Sequence, residues 1–222
     1  MNLKSFGCSF IFGTDLPDDL PTAKYPVPSQ FTWPALAAKK LGWNYNCYAH
    51  GGSGNLQILD CVLGHAASSK DDFFVIGWTF QDRFDFVNRD NTTNHKWETL
   101  RPSLDHPHAD HYFRNLHSEY RDKFTTLVHM HTAINVLETC KIPFIMTTVD
   151  DLPFNTRWYA TPSVSLLQDQ VKHHMSWFDN KNFLSWTQQH GFPISKTMHP
   201  LQEAHEQAAN IMLPLIERAV KV

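Results

Sequence analysis

Two continuous apolar segments constrain the fold of this chain more than any other feature. Residues 72–77 read Asp-Phe-Phe-Val-Ile-Gly, and residues 142–149 read Ile-Pro-Phe-Ile-Met-Thr-Thr-Val. Unbroken apolar runs of this length are typical of strands that are buried on both faces, as in the centre of a parallel sheet. Because parallel strands require crossover connections, which are usually helices, the two segments predict an α/β protein.

Shorter patterns on either side of these segments extend the alternation of strands and helices. Strands are predicted at residues 3–6 and 43–48, and helices at residues 31–41, 56–67, 120–137 and 200–220. Right-handed crossovers then give a three-layer αβα sandwich around a flavodoxin-like, mostly parallel sheet of about five strands. Ligands of such sheets bind at the carboxyl ends of the strands, so we expect the functional site at that edge.

The chain is expected to form one domain over residues 1–222, because its hydrophobic content of 42% suffices for a single core. Two stretches, around residues 85–115 and 150–179, do not follow the alternation and are rich in polar and aromatic residues. Each of them comes after a predicted strand, and long insertions in compact domains are usually functional. Both are therefore predicted to lie on the site face.

The charge balance limits the classes of partner. The formal net charge is −3, from 19 basic and 22 acidic residues, without a long run of either sign. Nucleic-acid binding requires a basic surface, so no nucleic-acid partner is expected. The first apolar stretch is interrupted at Gly7, too early for a signal peptide or a membrane span. The sequence predicts a cytoplasmic or otherwise soluble protein without a membrane partner, and it does not indicate an oligomeric state.

Five short segments carry the functional interpretation. They are Gly7-Cys8-Ser9, Trp33-Pro34-Ala35-Leu36, Ser53-Gly54-Asn55, Gly77-Trp78-Thr79 and Lys196-Thr197-Met198-His199-Pro200. In this order they resemble the sequence blocks of the GDSL/SGNH hydrolases, and the matches span nearly the whole chain. The resemblance implies the SGNH hydrolase fold and a serine esterase that needs no cofactor.

The resemblance also implies roles for individual residues. Ser9 would be the nucleophile and His199 the base, since a serine hydrolase needs a hydroxyl within hydrogen-bonding reach of an imidazole. The backbone N–H groups of Ser9 and Gly54 would bind the oxyanion. The third donor of the family, usually an asparagine, aligns with Thr79, and Asn55 could supply an amide instead.

Two further departures from the family pattern affect the site. The aspartate before the nucleophile is replaced by Cys8, which is interpreted as a small buried residue. Lys196 stands three residues before His199, where the family has the acid of the triad. Either a backbone carbonyl completes a Ser-His dyad, or a carboxylate comes from elsewhere in the chain. The candidates for that carboxylate are Asp82, Asp150 and Asp151.

His205 is the alternative to His199 as the base. It lies within the last predicted helix, where a lone histidine usually packs against other side chains, whereas His199 directly precedes Pro200 at the start of that helix. His199 is therefore preferred.

Arg83 and Trp78 are candidate substrate-binding residues because they lie beside the Thr79 turn. The alternative for Arg83 is a surface ion pair with Asp82 or Asp85. Residues 105–111 concentrate histidine and aspartate but match no firm zinc pattern, and hydrolysis by a serine needs no metal, so no metal ion is expected.

The polar, aromatic and histidine-rich insertions suit a sugar ring better than a long acyl chain. The leading hypothesis is an esterase for small acyl esters, in particular O-acetyl groups on carbohydrate. One alternative is a carbohydrate-binding or assembly protein that keeps the fold without turnover, as the changes at Cys8, Thr79 and Lys196 would allow. Another is a nucleotide-binding domain with residues 51–54 as a phosphate loop, although these glycines fit neither common phosphate-binding motif.

Overall fold

A four-stranded parallel sheet forms the centre of the computed structural model, which describes residues 1–19, 26–87, 97–102 and 104–221. The strands are β1 (Asn2–Gly7), β2 (Asn44–Cys47), β3 (Asp72–Trp78) and β6 (Phe144–Thr148). Their order is β2-β1-β3-β6, and every neighbouring pair is parallel. Every residue of β3 is buried, as its continuous apolar run predicts, and the expected α/β class is confirmed.

Helices cover both faces of the sheet. They are α1 (Ser9–Phe12), α2 (Trp33–Leu41), α3 (Asn55–Ala66), α4 (Ala109–Asn115), α5 (Glu119–Thr139), α6 (Pro162–Val171), α7 (Phe183–Gln189) and α8 (Gln202–Val220). Alternate residues of β3 point to opposite faces, so Phe73 and Val75 share one core with α2 and α8. Phe74 and Ile76 share the other core with α3 and α5. The two cores make up the predicted three-layer arrangement.

The sheet has four strands where about five were expected. The position beyond β6 is taken by a single residue, Met175, which forms an isolated parallel bridge to Met146. The N–H of Ser176 donates to the Met146 carbonyl at 2.7 Å, but the residues just before the bridge, Lys172–His174, form a 3₁₀ turn. The segment therefore makes this one bridge and does not form a fifth strand beside β6.

The two predicted insertions contain regular structure. Strands β4 (Phe84–Val87) and β5 (Trp97–Leu100) form an antiparallel hairpin, and α4 follows them. Residues 88–96 and 103, which belong to the predicted insertion 85–115, lie outside the described residues. The second insertion contains α6 between two 3₁₀ turns. Along the described parts of the chain, the helices are too short or too polar to cross a membrane.

His205 is a packing residue in α8 that also caps another helix. It is 1% exposed, and its Nδ1 accepts the backbone N–H of Trp33, the first residue of α2, at 3.1 Å. Only a neutral imidazole can accept at this atom. Burial lowers the pKa of His205 to about 3 and, in α5, the pKa of His129 to about 4.

These lowered pKa values predict that the folded state loses stability in mild acid. Above about pH 6.5, histidine is neutral in both the folded and the unfolded chain, so His205 contributes no pH dependence. Below that pH the unfolded chain takes up a proton that folded His205 binds only near pH 3. The free energy of unfolding should therefore fall by about 1.4 kcal/mol per pH unit from this residue alone.

Urea denaturation at pH 7 and pH 5 measures this effect. His205→Gln removes the titrating group, so its stability should depend less on pH, whatever its stability at pH 7. Equal pH dependence in the two proteins would contradict the assignment.

Candidate active site

Ser9 lies at the carboxyl edge of the sheet, where β1 gives way to α1. Cys8 separates strand from helix as the N-cap residue and is fully buried. Gly7 and Gly77 are partners in the register of β1 and β3, and both face Ile11. A Cβ atom at Gly7 would lie 2.6 Å from Ile11 Cγ1, and one at Gly77 would lie 2.5 Å from the same atom. The two glycines therefore allow α1 to fold back tightly on the strand ends.

The structure brings His199 against Ser9. His199 Nε2 lies 2.8 Å from Ser9 Oγ, and the imidazole belongs to a tight turn that precedes α8. Within this turn the N–H of Ser195 donates to the His199 carbonyl at 2.9 Å, and Met198 has a left-handed backbone with φ of 68°. The turn fixes the imidazole, and the pair has the geometry required of a nucleophile and its base.

The carboxylate beside the imidazole is Asp15. Its Oδ2 lies 2.8 Å from His199 Nδ1 and also accepts hydrogen bonds from Ser195 Oγ at 2.7 Å and from Thr197 Oγ1. Partial burial acts to raise the pKa of Asp15, but the hydrogen bonds from Thr197, Ser195 and His199 outweigh it and lower the pKa. The carboxylate is therefore ionised at neutral pH and can hold the imidazole in one tautomer.

None of the three carboxylates predicted for this position, Asp82, Asp150 and Asp151, contacts His199. Asp150 is buried and accepts the N–H groups of Gln81 at 3.1 Å and Leu152 at 3.0 Å. Burial is the main cause of its raised pKa. Asp151 borders a separate pocket, and Asp82 has no hydrogen bond or ion pair among the described residues.

Asp15 has a weak signal in the sequence. The helix that starts at Ser9 ends after one turn because Gly13 caps it with a left-handed φ of 90°. The chain therefore remains near Ser9 when it reaches Asp15. Gly13 and Asp15, shortly after Ser9, are a weak indication in the sequence that a carboxylate lies near Ser9. Only the fold brings the turn at residues 195–199 to Asp15.

The predicted oxyanion donors Gly54, Asn55 and Thr79 are used for other contacts. The Gly54 N–H donates to Asp85 Oδ1 at 3.0 Å. Asn55 Oδ1 accepts the Thr79 N–H at 2.9 Å, while Asn55 Nδ2 donates to the Thr79 carbonyl at 3.2 Å. Thr79 is fully buried. These groups join the start of α3 to the end of β3, which corrects the expectation that they face a substrate.

A different glycine faces the cleft. Gly51 and Gly52 line it together with Ser9 and His199. Gly52 has a left-handed φ of 86°, and a Cβ atom there would meet nothing within 4 Å. Among the described residues, neither the Gly52 N–H nor the Ser9 N–H has an acceptor. These two donors are therefore available to an incoming oxygen.

The cleft above Ser9 has a volume of about 410 Å³ and is open to solvent. Arg83 lines it, as predicted, and so does Arg101, which the sequence did not single out. Trp78 does not, because it is fully buried and its Nε1 donates to Met146 Sδ at 3.3 Å in the core. The expected contact between Trp78 and a substrate is thus incompatible with its position.

The histidine-rich segment forms contacts of its own. His106 Nε2 lies 3.1 Å from Glu98 Oε2, and the His106 and His108 rings are 5.4 Å apart. No group of three or more potential metal ligands occurs among the residues that the structure describes.

The sheet and its flanking helices have a fold similar to that of solved GDSL-family proteins and esterases, as expected from the sequence blocks. No family model and no curated protein matches the sequence, so the similarity is one of structure.

Three solved structures illustrate it. A lipolytic G-D-S-L family protein from Veillonella parvula has a TM-score of 0.53 and 17% identity, covering 98% of this chain and 99% of its own. A psychrotrophic esterase from Pseudoalteromonas has a TM-score of 0.56 and 9% identity, covering 100% and 99%. An acetyl xylan esterase from the rumen bacterium Butyrivibrio proteoclasticus has a TM-score of 0.54 and 14% identity, covering 99% of this chain and 64% of its own.

Proposed function

We propose that this protein is a serine hydrolase that cleaves small acyl esters through a covalent acyl-enzyme. The observation that carries the proposal is the continuous relay from Ser9 Oγ to His199 Nε2 and from His199 Nδ1 to Asp15 Oδ2, both at 2.8 Å, on the wall of an open cleft. A hydroxyl, an imidazole and an ionised carboxylate in this order are the components of a catalytic triad.

In the proposed reaction, Ser9 Oγ attacks the ester carbonyl while His199 Nε2 takes up the hydroxyl proton. Asp15 stabilises the imidazolium that results. The N–H groups of Ser9 and Gly52 are the candidate donors to the tetrahedral oxygen. When the intermediate collapses, His199 returns the proton to the leaving alcohol and the acyl group stays on Ser9. Water, deprotonated by His199, then releases the acid and regenerates the hydroxyl.

The proposed substrates are carbohydrates that carry O-acetyl groups. The lining of the cleft combines glycine, arginine and hydroxyl side chains with the rings of Phe10 and Phe80, which suits a sugar ring with a small ester. The presence of an acetyl xylan esterase among the structural relatives supports the same class. The substitution at Lys196 suggested a binding protein without turnover, but the position of Asp15 Oδ2 at 2.8 Å from His199 Nδ1 supports turnover instead.

Labelling with a fluorophosphonate probe tests the proposal. The protein should gain the mass of one adduct, and peptide mapping should locate it on Ser9. Ser9→Ala and His199→Ala should not react, whereas Ser165→Ala, which changes an exposed serine on α6, should react like the unaltered protein. An adduct that persists in Ser9→Ala, or no adduct under conditions that label a known serine esterase, would refute the proposal.

A further inference from the structure

Two arginine side chains share the cleft with the proposed nucleophile. Arg83 and Arg101 both line the 410 Å³ space that contains Ser9 and His199. They come from separate places in the chain, since Arg83 directly precedes β4 and Arg101 directly follows β5. Because Phe84 pairs with Leu100 in the antiparallel hairpin, Arg83 and Arg101 lie at the same end of it.

Arg83 is held in place by contacts that leave most of its donors unused. One Nη1–H donates to the Ser53 carbonyl at 2.7 Å, and the guanidinium lies 5.4 Å from the centroid of the Phe80 ring. Neither contact neutralises the charge, and among the described residues no carboxylate pairs with Arg83. Arg83 therefore keeps its positive charge and several free N–H donors on the wall of the cleft.

Arg101 is more exposed and equally without an acidic partner among the described residues. It also borders an adjoining space of about 320 Å³ next to Gly52, so it lies where the cleft opens further. Two other arginines have acidic partners: Arg114 pairs with Asp110 at 2.6 Å and Arg121 with Asp122 at 3.1 Å. The two cleft arginines differ from these in facing a space that a ligand can enter.

The local charge of the cleft is opposite in sign to that of the whole chain, whose formal net charge is −3. The single carboxylate that lines the cleft, among the described residues, is Asp15, and it is engaged by His199, Ser195 and Thr197. Asp15 forms no ion pair with Arg83 or Arg101, so its one negative charge leaves the lining with an excess of positive charge. The cleft is left with two cations directed at the space in which a substrate must lie.

We infer that the ester substrate carries a carboxylate, which Arg83 and Arg101 bind beside the scissile bond. This inference rests on the proposed function and specifies its substrate class as acylated acidic sugars of the uronic acid type. A planar guanidinium matches a planar carboxylate with two parallel hydrogen bonds.

Matched substrates separate this inference from the general hydrolase activity. O-acetylated glucuronic acid and O-acetylated glucuronamide have nearly the same shape and differ in one negative charge. We expect kcat/KM to be roughly 10- to 100-fold higher for the acid, the usual effect of a hydrogen bond to a charged group. In Arg83→Gln and Arg101→Gln the ratio of the two values should fall towards one. Arg114→Gln, outside the cleft, should keep the ratio of the unaltered protein.

A ratio near one in the unaltered protein, together with hydrolysis of both compounds, would overturn the inference and leave the proposed function standing. If the two arginines instead assist the oxyanion, both variants would slow the acid and the amide equally, and the inference would be wrong. Loss of the proposed function would appear as no hydrolysis of either compound and no probe adduct on Ser9.

Calorimetric titration of Ser9→Ala with free glucuronate and with glucuronamide tests the anion site without any turnover. Binding of glucuronate that is at least tenfold tighter than binding of the amide, and that weakens with Arg101→Gln added, supports the inference. Equal binding of both compounds, or binding of neither, contradicts it.

Discussion

Replacing Asp15 with asparagine is expected to lower kcat/KM for a small acetyl ester by about 10³- to 10⁴-fold, while the protein keeps its fold. An asparagine presents an amide where His199 now meets a carboxylate at 2.8 Å, so the imidazole can be held in the wrong tautomer and loses its counter-charge. A loss of this size corresponds to about 4–5 kcal/mol of transition-state stabilisation. Steady-state kinetics measure it directly.

The other carboxylates considered for this role supply matched controls. Asp82→Asn and Asp151→Asn should change kcat/KM only a few-fold, because neither residue contacts the relay. Lys196→Ala tests the position at which the family has its acid, and this exposed side chain should also have little effect. A loss of 10³-fold or more in any of these variants, with Asp15→Asn nearly fully active, would show that Asp15 is not the acid.

Replacing Asp85 with alanine is expected to lower the free energy of unfolding by about 3 kcal/mol. Asp85 is 7% exposed and belongs to β4, yet it caps the start of α3 by accepting the N–H groups of Gly54 at 3.0 Å and Gln57 at 2.9 Å. Thr99 Oγ1 donates to it at 2.5 Å. Burial raises the pKa of this carboxyl, although its hydrogen bonds act to lower it. Alanine would leave buried N–H groups at a helix start without an acceptor.

Urea denaturation compares this variant with two others. Asp85→Asn keeps one accepting oxygen and should lose about half as much stability. Asp110→Ala removes an exposed ion pair with Arg114 and should change the stability by less than about 0.5 kcal/mol. Similar stabilities for Asp85→Ala and Asp110→Ala would mean that the contacts at the start of α3 contribute little.

The strands and helices of the central layers could be predicted because their signals are local. The run at residues 72–77 indicates a strand buried on both faces, and the structure has β3 there with every residue buried. A helix is likewise predicted at residues 31–41, and the structure has α2 at Trp33–Leu41. These predictions depend on the spacing of apolar residues and on the backbone preferences of individual residues. Both can be read from one short segment of sequence.

The remaining parts of the site depend on contacts between distant segments. The sequence places Asp15 in a loop, but its partners Ser195, Thr197 and His199 come from the other end of the chain. Similarly, Gly54 matches a family block, and only the position of Asp85 in the β4–β5 hairpin shows that its N–H is already bonded. Pairings of this kind are set by the fold as a whole, so no local pattern reports them.

The short helix α1 has a consequence for how the relay is assembled. Ser9 and Asp15 lie on one brief segment, so the backbone of that segment alone sets the spacing between them. His199 is the single component that must arrive from far along the chain, on the turn that leads into α8. The reactivity of Ser9 towards the fluorophosphonate probe therefore reports whether α8 is packed on the sheet. A labelling rate followed through thermal or urea unfolding would detect release of that helix before the rest of the domain unfolds.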